Sequence, residues 1–390
     1  MDPITNPYSP GAGTPPYELA GRDELRNSLN ITITRIMRGK PAKSMLLVGL
    51  RGVGKTVLLE QMSRDAEIGG SHIIFIEAPE NRSLPALISP QLRLALLKLS
   101  RLEKSKDAAI RALKALAGFA KSLKITYSDI EVGFDHNPEA GLADNGDLEA
   151  DLTALMIEVG KTAKDADTAL VLFIDELQYV KQEQFAALIT ALHRCAQLKL
   201  PVTLVGAGLP QLRGLAGNSK SYAERLFNYP EIGALDDSSA TKAIVEPAKA
   251  EKVDYEEDAV VEIINRTKGY PYFIQEWGSH TWDVAKQSPI TKNDVLAATE
   301  LTIAAMDESF FRVRFDRLTP NEKLYIHAMA TLGAGPHRSG DIADLMKKKS
   351  SDVAPVRNSL IKKGMVWAPN HGDTAFTVPL FNEFILRIMG

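Results

Sequence analysis

Buried strand-like runs alternate with helical patterns along the first half of the chain. Short apolar runs at residues 44–48, 72–77, 169–174 and 201–206 are typical of strands that are buried on both faces. Between them, apolar side chains recur at every third or fourth position, as they do in amphipathic helices. Because strands that alternate with helices pair in parallel, the pattern predicts an α/β domain with a parallel sheet.

The strand pattern stops after residue 235. Four successive segments with helical periodicity follow, at residues 238–249, 255–268, 271–287 and 291–306. They predict a small helical domain.

The last segment, residues 309–390, changes character again. Helical patterns at residues 321–332, 341–346 and 353–363 precede two short strands within residues 365–378, which Pro, Asn and Gly residues join. Three helices followed by a two-stranded wing predict a winged helix-turn-helix.

Residues 49–56 read GLRGVGKT, the phosphate-binding loop pattern G-x-x-x-x-G-K-T. The glycines let backbone N–H groups point at an anion, Lys55 supplies a positive charge to the phosphates, and Thr56 offers its hydroxyl to Mg²⁺. A chance glycine-rich turn is the alternative, but the motif follows a strand pattern and opens a helix. The predicted ATP-binding residues are Gly49, Arg51, Gly52, Val53, Gly54, Lys55, Thr56 and Val57.

A second acidic motif ends the strand-like run at residues 169–174, where Asp175 and Glu176 follow directly. The carboxyl edge of a parallel sheet brings such a strand end beside the phosphate loop, where Asp175 can hold Mg²⁺. Glu176 is then placed to polarise the attacking water. Alternatively, the acidic pair only caps the next helix.

Composition narrows the class of protein. The 390 residues are 45% hydrophobic and carry a net charge of −3, which allows two or three domains and gives no overall nucleic-acid signature. Cys195 is the only cysteine, so an internal disulfide is excluded, and the seven histidines have no metal-ligand spacing. Neither a signal peptide nor a membrane-spanning run is recognisable, so we expect a cytoplasmic protein without membrane contact.

Two segments are harder to interpret. Residues 1–18 contain five prolines and predict an extended arm over a partner surface, anchored by Tyr8 and Tyr17, or else a frayed tail. Residues 100–147, with a helix and an alternating pattern typical of a β-hairpin, form an insertion in the core. They either dock a protein or cover an apolar face.

The charge distribution singles out the C-terminal segment. Residues 310–390 contain twelve Lys and Arg against seven acids, a net charge of +5, so the rest of the chain carries −8. Basic residues before and within the third predicted helix occupy the position from which DNA phosphates are contacted. A structural or protein-binding role is the alternative. The candidate DNA contacts are Lys347, Lys348, Lys349 and Arg357.

These motifs, in this order, resemble those of AAA+ ATPases, in particular the bacterial and archaeal group related to origin-recognition initiators and to STAND signalling ATPases. The resemblance is most specific at residues 49–56 and 172–178. It implies an α/β P-loop core at residues 19–235, a helical lid at 236–308 and the winged helix at 309–390.

The resemblance also implies roles for single residues. Lys55 and Thr56 match the phosphate-loop pair, Asp175 the metal-binding aspartate and Glu176 the catalytic base. Further implied positions are an arginine finger at Arg225, which is otherwise a surface arginine, Gly21 and Arg22 beside the adenine, and Pro271 against the base.

Two departures from the AAA+ pattern limit the functional prediction. The strand that ends at Gly206 lacks a polar sensor, and Gly269, Tyr270 and Pro271 stand where a sensor arginine is expected. Three hypotheses remain. The first is a Mg²⁺-dependent ATPase whose nucleotide state controls homo-oligomerisation and DNA binding. The second is a slowly hydrolysing STAND-like scaffold without DNA binding, whose winged helix binds protein or is autoinhibitory, and the third is a module whose effector enzyme is a neighbouring protein.

Overall fold

The structure is a computed structural model. The residues that it describes are 1–11, 13–78, 83–123 and 137–390. The chain forms two compact units, which we name the α/β unit and the C-terminal unit. The α/β unit comprises Arg22–Val48 and Lys55–Glu231, and the C-terminal unit comprises Met1–Gly21, Gly49–Gly54 and Ile232–Gly390.

The α/β unit alternates strands and helices as its sequence pattern predicts. Its elements are α1 (Asp23–Met37), β1 (Ser44–Val48), α2 (Lys55–Ile68), β2 (His72–Glu77), α3 (Leu84–Leu99), α4 (Lys106–Ser122), α5 (Leu148–Asp165), β3 (Leu170–Asp175), α6 (Gln182–Gln197), β4 (Val202–Gly208), α7 (Leu212–Ser219), α8 (Ala223–Leu226) and β5 (Phe227–Asn228).

A five-stranded parallel sheet organises this unit, with the strand order β2-β3-β4-β1-β5. Every residue of β1, β3 and β4 is buried, which explains why these strands are continuous apolar runs. Ile174 pairs with Gly206, so the ends of β3 and β4 lie side by side. The predicted parallel α/β core is confirmed.

The predicted insertion is partly described. Helix α4 buries Leu113, Leu116 and Phe119 in the core of the α/β unit. The helical half of the insertion therefore covers an apolar face. The predicted β-hairpin falls on residues 124–136, outside the described residues.

The C-terminal unit consists of helices and one small sheet. Its elements are α9 (Asp237–Ala250), α10 (Glu257–Thr267), α11 (Pro271–Val284), α12 (Lys292–Met306), α13 (Arg312–Asp316), α14 (Pro320–Thr331), β6 (His337–Arg338), α15 (Ser339–Leu345), α16 (Ser350–Lys362), β7 (Val366–Trp367), β8 (Asp373–Phe376) and α17 (Phe381–Met389).

Side-chain caps start two helices of this unit. The hydroxyl of Thr291 accepts a hydrogen bond from the Asp294 amide, and the Asp294 side chain accepts one from the Thr291 amide. Thr319 and Glu322 form the same reciprocal pair before α14. Such capping boxes satisfy two N–H groups that a helix start leaves unpaired.

The C-terminal segment contains α14, α15, α16 and the predicted hairpin of β7 and β8. These strands are antiparallel, and β6 pairs with the other edge of β8, so the sheet has three strands. Helix α17 was not predicted. It buries Phe381, Phe384 and Ile385 in the core of the C-terminal unit.

The N-terminal arm lies on the helices of its own chain. Tyr8 is 4% exposed, and its hydroxyl donates a hydrogen bond to the carbonyl oxygen of Ile244 (2.5 Å). Asn6 donates to the carbonyl oxygen of Ser279. Tyr17, in contrast, is 62% exposed. The arm is therefore anchored by Tyr8 within the chain, and the expectation of a partner surface and of a second anchor at Tyr17 is corrected.

A search of the described helices found none with the length and apolar character needed to cross a membrane.

Candidate functional site

The phosphate-loop motif follows β1 directly and runs into the first turn of α2. Gly52 and Gly54 have φ angles of 82° and 83°, in the left-handed region where a side chain causes strain. At Gly49, an added Cβ would overlap the carbonyl oxygen of Ile232. The loop backbone therefore requires glycine at these motif positions.

The hydroxyl of Thr56, at the start of α2, donates a hydrogen bond of 2.6 Å to Oδ2 of Asp175, at the end of β3. Asp175 is 3% exposed, and burial raises the pKa of its carboxyl group. The Thr56 hydroxyl, the Glu176 amide and the charge of Lys55 act in the opposite direction. Lys55 is itself 8% exposed. The two motifs thus meet in the α/β unit.

The donor set of this pair fits Mg²⁺. A threonine hydroxyl and an aspartate carboxylate are hard oxygen ligands, and Mg²⁺ in nucleotide sites takes one or two such ligands together with phosphate oxygens. Across the described residues, no group of three or more His, Cys, Asp or Glu side chains could form a protein-only metal cage. The predicted metal ligands, Thr56 and Asp175, are therefore suited to a metal that arrives with a phosphate group.

Glu176 follows Asp175 in a left-handed backbone conformation, with φ 50° and ψ 36°. Its amide donates a hydrogen bond of 2.7 Å to Oδ1 of Asp175. Its carboxylate accepts a hydrogen bond from the Gln178 side-chain amide and is partly exposed. The acidic pair is followed only by a short 3₁₀ turn, and α6 begins six residues later, so the pair does not cap a helix of ordinary length.

Within the C-terminal unit, the phosphate loop is held by two backbone hydrogen bonds. The amide of Arg51 donates to the carbonyl oxygen of Thr377 (3.3 Å), and the amide of Tyr272 donates to that of Gly52 (3.2 Å). Tyr272 lies in α11 and Thr377 follows β8. The loop is thus joined to two separate segments of this unit.

A half-buried arginine that the sequence did not single out belongs to the same unit. Arg314 lies over the Phe310 ring at 3.8 Å and donates to the Phe310 carbonyl oxygen (2.6 Å). Burial, together with the charge of Arg51, lowers the pKa of Arg314 to about 10. Phe310 stacks on Tyr272 at a centroid distance of 4.5 Å. A second positive charge therefore lies within electrostatic range of the loop.

Arg225 is exposed in the short helix α8. Within the ranges that the structure describes, no ion pair and no side-chain hydrogen bond engages its guanidinium group. The alternative of an ordinary intramolecular surface ion pair is not observed there.

The residues expected near the base lie at turns. Gly21 has φ 69°, and an added Cβ would lie 2.6 Å from Oγ of Ser239. Arg22 is the N-cap residue of α1. Pro271 is the first residue of α11, in a turn where the Gly269 carbonyl oxygen accepts a hydrogen bond from Leu235 (2.8 Å). Contact of these residues with a nucleotide base stays a prediction.

The candidate DNA contacts divide into two kinds. Lys347, Lys348 and Lys349 are exposed directly before α16. Arg357 is instead half-buried, and its guanidinium donates to Oγ1 of Thr374 and to the carbonyl oxygen of Asp373, both at 2.7 Å. Arg357 therefore ties α16 to strand β8, and the three lysines remain as the exposed basic group.

Comparison with known families adds to this geometry. Residues 18–205 match the AAA ATPase domain family. The phosphate loop and the acidic pair both lie inside the matched AAA region, so the AAA+ resemblance is confirmed. Residues 308–385 match a domain of unknown function, DUF8462. A search of curated proteins found no match.

Three solved structures resemble this chain over nearly its whole length. The Walker-type ATPase PABY2304 of Pyrococcus abyssi is 15% identical, with a TM-score of 0.59 and coverage of 96% of this chain and 97% of that chain. The Orc1 protein of Aeropyrum pernix, in complex with DNA, is 15% identical (TM-score 0.48, coverage 96% and 94%). A RuvB mutant of Thermotoga maritima is 17% identical (TM-score 0.47, coverage 92% and 93%).

At this level of identity, a structural likeness shows the fold alone. The match to the Pyrococcus ATPase and the family match agree on an AAA+ P-loop fold, which is that of a nucleotide-binding ATPase. Sequence reasoning missed Gln178, which lies two positions after Glu176 and contacts it. Its side-chain oxygen also accepts a hydrogen bond from the Leu209 amide, directly after β4, and no local pattern reveals that contact.

Proposed function

We propose that the protein is a Mg²⁺-dependent ATPase that uses ATP binding and hydrolysis as a conformational switch. The observation that carries this proposal is the hydrogen bond between Thr56 and Asp175 (2.6 Å). It joins the hydroxyl and the carboxylate that phosphoryl-transfer sites use to hold Mg²⁺. Thr56 is half-buried, Asp175 is buried, and the positive charge of Lys55 acts on Asp175, an arrangement that suits the β and γ phosphates of ATP together with Mg²⁺.

The residues of the site have separate roles in this proposal. The phosphate loop and Lys55 bind the phosphates, while Thr56 and Asp175 position the metal. When bound, Mg²⁺ neutralises phosphate charge. Glu176 orients the attacking water and accepts its proton.

Assembly into a homo-oligomer is the second part of the proposal. Arg225 is exposed and carries no ion pair within the described ranges, so its charge is available to a neighbouring copy. An arginine that reaches a neighbour's γ-phosphate stabilises the charge of the transition state. Hydrolysis would then depend on assembly.

Size and turnover test these two parts together. Light scattering with ADP, with ATP and without nucleotide is compared for the wild type, Glu176→Gln and Arg225→Ala, and phosphate release is measured on the same samples. We expect ATP to favour a larger assembly and Glu176→Gln to trap that assembly. Turnover per chain should rise with protein concentration in the wild type, and Arg225→Ala should abolish this rise. A protein that stays monomeric in every state would rule out the finger role.

DNA binding by the C-terminal segment is the third part. Lys347, Lys348 and Lys349 are exposed at the start of α16. This helix also exposes Ser351, Ala354, Pro355 and Asn358, which are small or polar side chains that leave room for close approach to a duplex.

Salt dependence tests the DNA proposal. Replacing the three lysines by alanine should lower the slope of log affinity against log salt by about 2 to 3, because each lost phosphate contact removes about 0.9. The matched control replaces three exposed lysines of the α/β unit, Lys40, Lys43 and Lys199. Equal slopes in both triple variants would exclude these lysines as the DNA contacts.

One observation favours a second function, a STAND-like scaffold that hydrolyses ATP slowly and stays closed until triggered. The amide of Arg51 donates to the carbonyl oxygen of Thr377, so the C-terminal segment is bonded to the phosphate loop. In that case the full chain should exchange bound nucleotide slowly, and no salt-sensitive DNA binding should be found. Fast exchange together with salt-sensitive DNA binding would remove the support for this alternative.

A further inference from the structure

The end of strand β4 carries no polar side chain of its own. The strand ends in Gly206, Ala207 and Gly208, which Leu209 follows, and β4 lies beside β3, the strand that ends in Asp175. The polar group at this strand end comes instead from Gln178, in the short turn after β3. The amide of Leu209 donates a hydrogen bond of 3.1 Å to Oε1 of Gln178.

Gly208 is what makes this position available. A Cβ added there would lie 2.5 Å from Oε1 of Gln178, closer than a Cβ atom approaches a non-bonded atom in proteins. The φ angle of Gly208 is not in the left-handed region, so the absence of a side chain, and not backbone strain, is the reason for glycine. Gly208 and the Gln178 side chain therefore fit each other.

The contact with Leu209 also orients the Gln178 side chain. A carboxamide whose oxygen accepts from the Leu209 amide, directly after β4, must present its NH₂ group on the other side. That NH₂ group donates to Oε2 of Glu176. One carboxylate oxygen of Glu176 is thereby held, and the other is free of this bond and can accept a proton from water.

We infer that Gln178 is a positioning residue that orients the Glu176 carboxylate for water activation and ties it to the end of β4. The inference rests on the proposed hydrolysis. It gives one reason for both Gly208 and Gln178. Gly208 leaves room for the Gln178 side chain, and Gln178 links the Leu209 amide to the Glu176 carboxylate. Gln178 touches no substrate in this scheme and acts through Glu176.

Steady-state kinetics of the full chain test the inference. Gln178→Met keeps the length and apolar volume of the side chain but removes both hydrogen bonds. We expect kcat to fall by about 10- to 100-fold, a part of what a general base contributes, while KM and the affinity for a fluorescent ATP analogue stay within about twofold. A wild-type kcat in Gln178→Met would show that packing alone is needed and would overturn the inference.

Gly208→Ala supplies an independent route to the same state, because the new methyl group displaces the Gln178 amide. The double variant Gly208→Ala/Gln178→Met should be no slower than the slower of the two single variants, since both substitutions disrupt the same link to Glu176. Additive losses would contradict the link. Gln182→Ala is the matched control, because Gln182 is an exposed glutamine that donates to the carbonyl oxygen of Asn218.

Failure of the proposed function can be told apart from failure of this inference. If the wild type releases phosphate no faster than Glu176→Gln, the hydrolysis proposal is wrong. The side-chain NH₂ resonances of Gln178, assigned by their absence in Gln178→Met, then decide the geometry without turnover. They should move in both Gly208→Ala and Glu176→Ala, and unmoved resonances would refute the inference.

Discussion

The hydroxyl of Thr56 donates a hydrogen bond to the carboxylate of Asp175, although the two residues are 119 positions apart in the chain. One begins helix α2 and the other ends strand β3, so the parallel sheet brings a helix start and a strand end together. The hydrogen bond holds both side chains in place, which lowers the entropic cost of positioning these two predicted metal ligands.

This pair predicts how metal dependence responds to mutation. Thr56→Val removes the hydroxyl but keeps the shape of the side chain, so ATP affinity with Mg²⁺ should fall about 10-fold or more, towards the affinity in EDTA. Thr56→Ser keeps the hydroxyl and should retain the Mg²⁺ effect. Titration of a fluorescent ATP analogue with and without Mg²⁺ measures both. An unchanged Mg²⁺ effect in Thr56→Val would reject this ligand assignment.

Substitutions at Lys55 and Glu176 should affect different quantities, nucleotide affinity at Lys55 and turnover at Glu176. Lys55→Ala removes the buried positive charge that is proposed to bind the phosphates, so nucleotide affinity should be lost. Glu176→Gln should lower turnover by about 10²- to 10⁴-fold and leave affinity unchanged. Phosphate release and nucleotide titration give the two quantities. Glu183→Gln, an exposed glutamate in the first turn of α6, is the control and should match the wild type.

Tyr8 should contribute strongly to stability. Tyr8→Phe removes the hydrogen bond to Ile244 and should cost about 1 kcal/mol of unfolding free energy, whereas Tyr8→Ala leaves a cavity and should cost about 3 kcal/mol. Urea unfolding measures both. The exposed Tyr17 provides the control, because Tyr17→Ala should stay within about 0.5 kcal/mol. Similar losses at both tyrosines would mean that the arm is anchored differently.

Glu322 predicts a loss of stability in acid. Burial alone would raise its pKa, but hydrogen bonds from Lys363, Ser359 and Thr319 lower the pKa to about 2. The unfolded carboxyl group takes up its proton near its ordinary value of 4.5, while the folded one remains charged until about pH 2. This contribution is therefore complete above about pH 5 and is lost as the pH falls towards 2.

The variant Glu322→Gln tests the predicted loss of stability at low pH. At pH 7 the variant should be less stable by about 2 kcal/mol, because Lys363 loses its partner and the capping box is weakened. Its unfolding free energy should also fall less steeply than that of the wild type between pH 5 and pH 2. The exposed Glu383 supplies the control variant, Glu383→Gln. Parallel pH profiles for the wild type and Glu322→Gln would contradict the assignment.

The elements that the sequence predicted best are those with a strong local signal. The continuous apolar run of β3 and the Gly-Lys-Thr motif before α2 needed no knowledge of distant residues. Strands β5 and β6, each two residues long, were missed because two residues carry no periodicity and, unlike the equally short β7, neither is followed by a recognisable hairpin turn. Helix α17 was missed as well, since the run FNEFILRIM is apolar enough to suit several structures and only its packing selects a helix.

Local pattern also failed where a side chain has a distant partner. Arg357 looked like a DNA contact because it is basic and lies in the third helix, but strand β8 supplies two acceptors for it. Tyr8 and Tyr17 looked alike in the arm, and only the first meets a carbonyl group on a helix. Partner identity depends on how segments far apart in sequence pack together.

By itself, the sequence determined the α/β class, the phosphate loop, the acidic pair after β3 and the helical character of the second half, because each follows from short-range periodicity or from a contiguous motif. Tertiary structure alone decided the Thr56–Asp175 pair, the position of the arm and the link from Leu209 through Gln178 to Glu176. Those contacts join residues on different segments of the chain, and they contribute to stability only once the chain has folded.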